Sequence, residues 1–366
     1  MKIIISGGGT GGHVFPAIAI ANALREVDPQ VDILFVGAEG KMEMEKVPAA
    51  GYTIVGLPVA GINRRLLALR NWSVPFKLFR SIRKARRIVR DFKPDVVVGV
   101  GGYASAPTLW CAQRRGIPTL IQEQNSYAGL TNKFLARRAR KICVAYKGME
   151  RFFKDEKKII FTGNPVRQDL DNVAALRSEA LSRFDLDADR KTLLIIGGSL
   201  GARTINESVL AHLHSLTAAA DIQVLWQVGE VYEKDVRLKM AAYQCHNVKM
   251  KNFIRRMDYA FAAADLVISR AGAGAISELC VVRKPAILVP SPNVAEDHQT
   301  KNAMALVKNN AAILVPDMEA VNQLIPIALK VLNNGERLQE LSHNIGAMAM
   351  TNAANDIAKE VLSLIK

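Results

Sequence analysis

Three glycine-dense stretches carry the residues best suited to bring a ligand against the backbone. The first, Gly7-Gly8-Gly9-Thr10-Gly11-Gly12-His13, follows the apolar run Lys2–Ser6. Glycine turns tightly and leaves amide N–H groups uncovered. Where such a turn opens a helix, the aligned peptide dipoles add a positive end, so the pattern predicts a bound anion, most simply a phosphate. Similar turns recur at Gly101-Gly102-Tyr103 and at Gly197-Gly198-Ser199-Leu200-Gly201. A nicotinamide enzyme ordinarily needs one such turn. Three, spread over both halves, suit an enzyme that handles two phosphorylated ligands, one per domain.

Other chemistries fit parts of this pattern. Gly7, Gly9 and Gly12 satisfy GxGxxG, and Glu39 stands near where a dinucleotide fold wants a ribose-binding acid. Gly197, Ser199 and Gly201 satisfy the GxSxG nucleophile elbow, with Asp265 and His298 downstream as formal triad partners. Asp185-Leu186-Asp187 has the DxD spacing of metal-dependent sugar transferases, but it precedes a strand, away from where active-site residues gather, and reads as a solvated linker. No HExxH and no clustered His/Cys set predicts a metal, and no cofactor is expected. His13 begins a helix, where the dipole favours the neutral imidazole, so it could act as a base. Glu123, in Gln122-Glu123-Gln124-Asn125, is a second candidate. The plain alternatives are a tight turn, a polar helix start and a surface acid.

These residues need a scaffold, and the chain supplies alternating strands and helices. Strands are predicted at Lys2–Ser6, Val31–Val36, Asp95–Val100, Pro118–Gln122, Lys141–Ala145 and Ile159–Thr162, with a helix near His13–Glu26. The series restarts with Thr192–Ile196, Gln223–Val228, Val248–Lys251, Leu266–Ser269 and Ala286–Val289, and a long final helix is expected over Gly335–Lys366. Such alternation predicts α/β architecture: two doubly wound, Rossmann-like domains facing a cleft, with ligands at the carboxyl ends of the strands. Asn164-Pro165 is a plausible hinge, dividing the chain into residues 1–163 and 164–366.

Charge follows the same division. Of the net +15, residues 1–163 hold all of it, with 27 Lys and Arg against 12 Asp and Glu, whereas residues 164–366 hold 22 of each. Residues 64–93 alone carry eleven Lys and Arg and one acid, Asp91. Within them Arg64, Arg65, Leu66, Leu69, Trp72, Phe76 and Arg80 interleave cationic and large apolar side chains, a mixture suited to an anionic lipid headgroup region. A helical stripe, Leu78, Ile82, Ala85, Val89 and Phe92, is expected to face the core. No zinc-finger spacing, RNP sequence or helix-turn-helix supports nucleic acid as a partner. Four scattered cysteines argue against a disulfide scaffold, and no apolar run approaches a spanning helix or a secretory signal.

Together the motifs GGGTGGHVFPA (7–17), GVGGYAS (99–105), QEQNSYAGLTNK (122–133), TGNPVR (162–167), IGGSLGAR (196–203), SRAGAGAISEL (269–279) and EDHQTKNA (296–303) resemble, in order and across both halves, the MurG family of bacterial peptidoglycan glycosyltransferases. The resemblance implies the GT-B fold and inverting transfer of N-acetylglucosamine from UDP-GlcNAc to the C4 hydroxyl of the N-acetylmuramyl pentapeptide on undecaprenyl diphosphate, lipid I to lipid II. It makes His13 the candidate base, with Glu123 supporting or sharing that role. It places Thr10, Gly11, Gly12, Asn125, Arg167, Ser199, Ile254, Ala273, Gly274, Ala275, Ile276, Ser277, Glu278 and Gln299 around the UDP-GlcNAc donor, and Tyr103 and Asn132 in the acceptor region. Residues 1–163 would serve the acceptor and the membrane, residues 164–366 the donor, with the last helix free to pack back on the first domain. The family's hydroxyl-bearing turn before the glutamate reads Ala273-Gly274-Ala275 here, leaving contacts at that point to the backbone. Further implications are a peripheral position on the cytoplasmic side of the inner cell membrane, and a possible cell-wall synthesis complex.

Overall fold

The structure, a computed structural model, describes residues 1–59, 74–170, 172–198, 200–243 and 245–365. Contacts divide the chain into two compact units: Met1–Arg167 with Met350–Lys366, and Gln168–Ala349.

The first unit is a parallel sheet of β1 (Lys2–Ser6), β2 (Asp32–Ala38), β3 (Thr53–Leu57), β4 (Val96–Gly99), β5 (Thr119–Glu123), β6 (Lys141–Val144) and β7 (Ile159–Phe161), in the order β3-β2-β1-β4-β5-β6-β7. Its helices are α1 (Gly11–Val27), α2 (Glu43–Ala49), α3 (Val74–Phe92), α4 (Ser105–Arg114) and α5 (Leu130–Ala136). Alternate residues of β1 enter opposite layers of core. Ile3 and Ile5 pack with Ile20 and Leu24 of α1, and Ile4 packs with Val89 of α3 and Leu109 of α4. Covered on both faces, such strands read as continuous apolar runs, which is why β1 and β4 are plain in the sequence. The chain reverses direction across the sheet between β1 and β4, so the turns after these neighbouring strands lie side by side at a topological switch point.

The second unit repeats the plan with α6 (Arg177–Phe184), β8 (Lys191–Ile196), α7 (Arg203–Ala211), α8 (Leu213–Ala218), β9 (Ile222–Gln227), α9 (Glu233–Met240), β10 (Val248–Lys251), α10 (Met257–Ala263), β11 (Leu266–Ser269), α11 (Ala273–Val281), β12 (Ala286–Leu288), α12 (His298–Val307), β13 (Ile313–Leu314), α13 (Asp317–Leu332) and α14 (Gly335–Gly346). Its strands are parallel in the order β10-β9-β8-β11-β12-β13, with the switch between β8 and β11. Both units are therefore Rossmann-like.

Three sequence expectations change. β3 and β13 were not foreseen: two of the five residues of β3 are threonine and glycine, and β13 has only two residues. The long final helix is two helices, α14 in the second unit and α15 (Ala353–Leu362) in the first. Ile357, Ala358 and Val361 of α15 are fully buried in the core beside α1, and Lys141 of β6 pairs with Glu360. The predicted stripe of α3 holds at Ala85 and Val89, but Leu78 is 46% exposed, with Phe76 and Phe79 more so. α4 covers α3 from Ile82 onward, where Cys111 Sγ lies 3.6 Å from the Ile82 carbonyl.

Candidate functional site

At the switch point of the first unit the loop after β1 wraps a side chain that the sequence did not single out. Glu43, the first residue of α2, is 1% exposed. Its carboxylate accepts the Gly9 amide on both oxygens, at 3.0 Å each, and the Ala38 amide at 2.9 Å. Glycine is required around it: a Cβ on Gly8, at φ +145°, would stand 2.1 Å from Glu43 Oε1, and one on Gly37 would stand 2.6 Å from its Cγ. The loop after β4 closes on this turn from the other side, where a Cβ on Gly102, at φ +82°, would lie 2.2 Å from the Gly8 carbonyl oxygen. One amide of the expected phosphate turn is thus already occupied by an anion belonging to the chain. Glu39, the acid a dinucleotide fold would use, is paired with Lys84 at 2.8 Å. Neither observation favours a dinucleotide here.

Thr10, Gly11, Gly12 and His13 form the start of α1, with Thr10 as its extended N-cap residue. Thr10 Oγ1 lies 3.1 Å from His13 Nδ1. The other edge of the ring lies over the turn after β4: a Cβ on Gly101 would stand 2.9 Å from both His13 Nε2 and Cδ2. Tyr103, in the same turn, is 54% exposed.

Glu123 ends β5 and is 2% exposed. One carboxylate oxygen accepts Asn125 N and Nδ2 at 3.1 and 3.3 Å, and the other accepts Gly129 N and Asn132 Nδ2 at 3.1 and 2.8 Å. It therefore organises the 123–132 loop and brings Asn125 and Asn132 together. Burial pushes its carboxyl above the ordinary range, against the four donors that favour the ion. Beside it, Gln124 Nε2 donates to the Val100 carbonyl at 2.7 Å, and Gln122 and Asn164 continue the chain of amides at 2.9 Å. Gln124 ties β5 to the turn after β4, a role without a mark in the sequence. Arg167, half-buried, ends the first of the two chain segments that make up this unit.

In the second unit the turn after β8 packs against the end of β9. A Cβ on Gly201, at φ +80°, would lie 2.1 Å from the Val228 carbonyl oxygen. Gln227, 4% exposed, links two loops: its Nε2 donates to Gly198 O at 3.0 Å, and its Oε1 accepts Ile254 N at 2.8 Å. The Ile254 N–H is thus engaged within the protein. Ser199 lies outside the described residues. The triad reading fails on geometry. Asp265 precedes β11, and it is held there by Arg177 at 3.1 Å and Thr192 N at 2.7 Å, whereas the turn holding Ser199 follows the neighbouring parallel strand β8. Asp265 and the described glycines of that turn, Gly198 and Gly201, thus sit at opposite ends of the sheet.

Ala273, Gly274, Ala275, Ile276, Ser277 and Glu278 form the first turns of α11, which carries no acid in its first turn. Gly272 caps it in extended conformation, and a Cβ on Gly272 or Gly274 would meet nothing within 4 Å. This N-terminus is roomy and cationic in character, at the second switch point. Ser277 Oγ bonds back to Ala273 O at 3.0 Å. Gln299, in the first turn of α12, accepts Ser291 N at 2.8 Å. Just before the α11 turn, Arg270 pairs with Asp317, which also accepts Thr204 Oγ1 at 2.9 Å.

Of the expected lipid-facing residues, Phe76 and Arg80 are exposed on α3, whereas Arg64, Arg65, Leu66, Leu69 and Trp72 lie outside the described residues. Among the described residues no three His, Cys, Asp or Glu side chains gather to hold a metal, and no helix is long and apolar enough to cross a membrane.

Comparison with known proteins follows this division into two units. Residues 3–144 match the glycosyltransferase family 28 N-terminal domain, and residues 192–361 match the family's C-terminal domain. The chain is 57% identical over its whole length to a UDP-N-acetylglucosamine--N-acetylmuramyl-(pentapeptide) pyrophosphoryl-undecaprenol N-acetylglucosamine transferase of Parabacteroides distasonis, covering 98% of that protein. It is 58% identical to the same-named protein of Bacteroides fragilis, covering 96% of it. The crystal structure of Acinetobacter baumannii MurG superposes with a TM-score of 0.77 at 28% identity, over 99% of each chain. With two family domains in order and full-length relatives well above half identical, the chain belongs to glycosyltransferase family 28 and, within it, to the MurG family.

Proposed function

We propose that this chain moves N-acetylglucosamine from UDP-GlcNAc to the C4 hydroxyl of the N-acetylmuramyl pentapeptide carried on undecaprenyl diphosphate, converting lipid I to lipid II, with the nucleotide held by the second unit and the acceptor hydroxyl met by His13 of the first. The transfer is the one its full-length relatives are named for. The observation that carries the assignment of substrates to units is a contrast between two glycine turns. At α11 the N-terminus is free of acid and has room at Gly272 and Gly274, while in the first unit Glu43 already holds the Gly9 amide. The α11 N-terminus therefore offers the nucleotide diphosphate an open set of amides, whereas at the first turn the Gly9 amide is already taken.

In this reading the acceptor oxygen displaces UDP directly at the anomeric carbon, inverting it. The bond from the acceptor's C4 oxygen to the anomeric carbon forms as the bond from that carbon to the diphosphate oxygen breaks, and the charge that develops on the leaving oxygen is met by the amides that begin α11. In the tautomer whose Nδ1–H donates to Thr10 Oγ1, Nε2 is the basic nitrogen of His13 and is the atom assigned to take the hydroxyl proton. Glu123, with both oxygens engaged by Asn125, Gly129 and Asn132, holds the loop in place and leaves proton transfer to His13. Ile254, Glu278 and Gln299 complete the nucleotide-sugar site with Arg167 and Ser199. Tyr103 and Asn132 face the acceptor. The cationic, apolar outer face of α3 rests on anionic lipid at the cytoplasmic side of the cell membrane, where lipid I resides and where a cell-wall synthesis complex would assemble.

The test is transfer of radiolabelled sugar from UDP-GlcNAc to a lipid I analogue, with chelator present. Labelled disaccharide lipid is expected. Folded protein that binds UDP yet transfers no sugar would falsify the assignment.

A further inference from the structure

The first glycine turn has a property its sequence does not show: it is built around a carboxylate. Glu43 is buried, and among the described residues no lysine or arginine is paired with it; its charge is met by the backbone amides of Gly9 and Ala38. A buried carboxylate without a counter-ion is costly, so a chain folds one in only where the hydrogen bonds it accepts fix something. What these bonds fix is the peptide that leads into Thr10. Both carboxylate oxygens lie 3.0 Å from the Gly9 N–H, at φ +91° where the backbone has wide freedom. The next residue places its hydroxyl 3.1 Å from His13 Nδ1.

We propose that Glu43 is a positioning residue for the transfer: by clamping Gly9 it holds Thr10 Oγ1 on His13 Nδ1 and so sets the tautomer and direction of the imidazole. The glycines at 8, 9 and 37 follow from this arrangement, since two of them leave space for the carboxylate and the third takes up the turn that it holds. The clamp also keeps a nucleotide diphosphate off this turn, because the anion place at Gly9 is filled from within. Glu43 touches no reacting atom. It acts through Gly9 and Thr10, and the inference rests on the reading of His13 as the base.

The experiment is a double-mutant cycle on the whole enzyme with UDP-GlcNAc and a lipid I analogue. Glu43→Ala is expected to lower kcat by about tenfold or more, as misplacement of a catalytic group does, with the KM for UDP-GlcNAc within about twofold of wild type. Glu43→Gln keeps a carbonyl oxygen for both amides and is expected to recover most of the loss. In a His13→Ala background, Glu43→Ala is expected to change kcat by less than about twofold, because the group it positions is gone. A loss that multiplies the His13→Ala loss in full, or an unchanged kcat in Glu43→Ala, overturns the proposal. Should His13→Ala alone retain wild-type kcat, the base assignment itself fails, and the clamp's purpose fails with it. Should Glu43→Ala not fold, Thr10→Val takes its place in the cycle, because it removes the hydroxyl through which Glu43 acts on His13: a wild-type kcat in Thr10→Val, or a loss that multiplies the His13→Ala loss in full, overturns the proposal.

Discussion

At the scale of single residues, the two acids beside the first site differ in what the sequence reveals. Glu123 ends a strand inside a motif and is easily picked out, yet its structural work, four N–H donors on two oxygens, is visible only in three dimensions. Glu43 stands in an ordinary amphipathic stretch and has no mark at all, because its partners are backbone amides, which every residue has. The two also predict different measurements. Burial raises the Glu123 carboxyl above its unfolded value, so the native state binds this proton more tightly than the unfolded chain does. The group's contribution to stability is fully present below the ordinary carboxylate range and is lost as pH rises through the raised folded value. Glu123→Gln removes that dependence. The stability advantage of wild type over the variant, from urea unfolding, is expected to shrink between about pH 4 and the raised value. An advantage that does not change with pH would show that the carboxyl is not shifted upward.

At the scale of elements, the proposed donor site assigns the electrostatic work to a helix N-terminus. α11 begins without an acid, and Gly274 stands in its first turn with open space around it. Placing an acid there has opposed effects on helix and ligand. Gly274→Asp replaces a poor helix former and complements the helix dipole, so stability is expected to hold or rise. The same charge meets the diphosphate, and the KM for UDP-GlcNAc is expected to rise about tenfold while the KM for the lipid analogue stays put. A parallel rise in both KM values would place the diphosphate elsewhere. The strands of both units were largely legible because doubly covered parallel strands are apolar throughout, and Val248–Lys251 and Leu266–Ser269 match their predicted bounds. β3 and β13 were not, the one being short and broken by Gly56 and the other only two residues long. Their pairing depends on neighbours the local sequence does not contain.

At the scale of the molecule, charge and chain path matter most. The whole net charge of +15 lies before residue 164, and part of it stands with exposed Phe76 and Phe79 on α3. Lys84 is paired with Glu39 and so contributes less to that face than its position on the helix suggests. Changing Phe76 and Phe79 to Ser together with Arg80→Glu is expected to weaken partition onto anionic vesicles by about tenfold or more while leaving UDP affinity intact. Equal partition in a sedimentation assay would return this face to simple solvation. The sequence by itself determined the α/β class, the restart of the fold at midchain, the three glycine turns and the family, because periodicity, glycine spacing and ordered motifs are local properties of the chain. Only the tertiary structure decided that the last helix returns to the first unit, that Asp265 and the glycines Gly198 and Gly201 sit at opposite ends of a sheet, and that one glycine turn is filled by Glu43 while the α11 N-terminus stays open. Each of these depends on which distant residues meet, and that is set by how the sheets order their strands, an outcome of packing the whole chain at once.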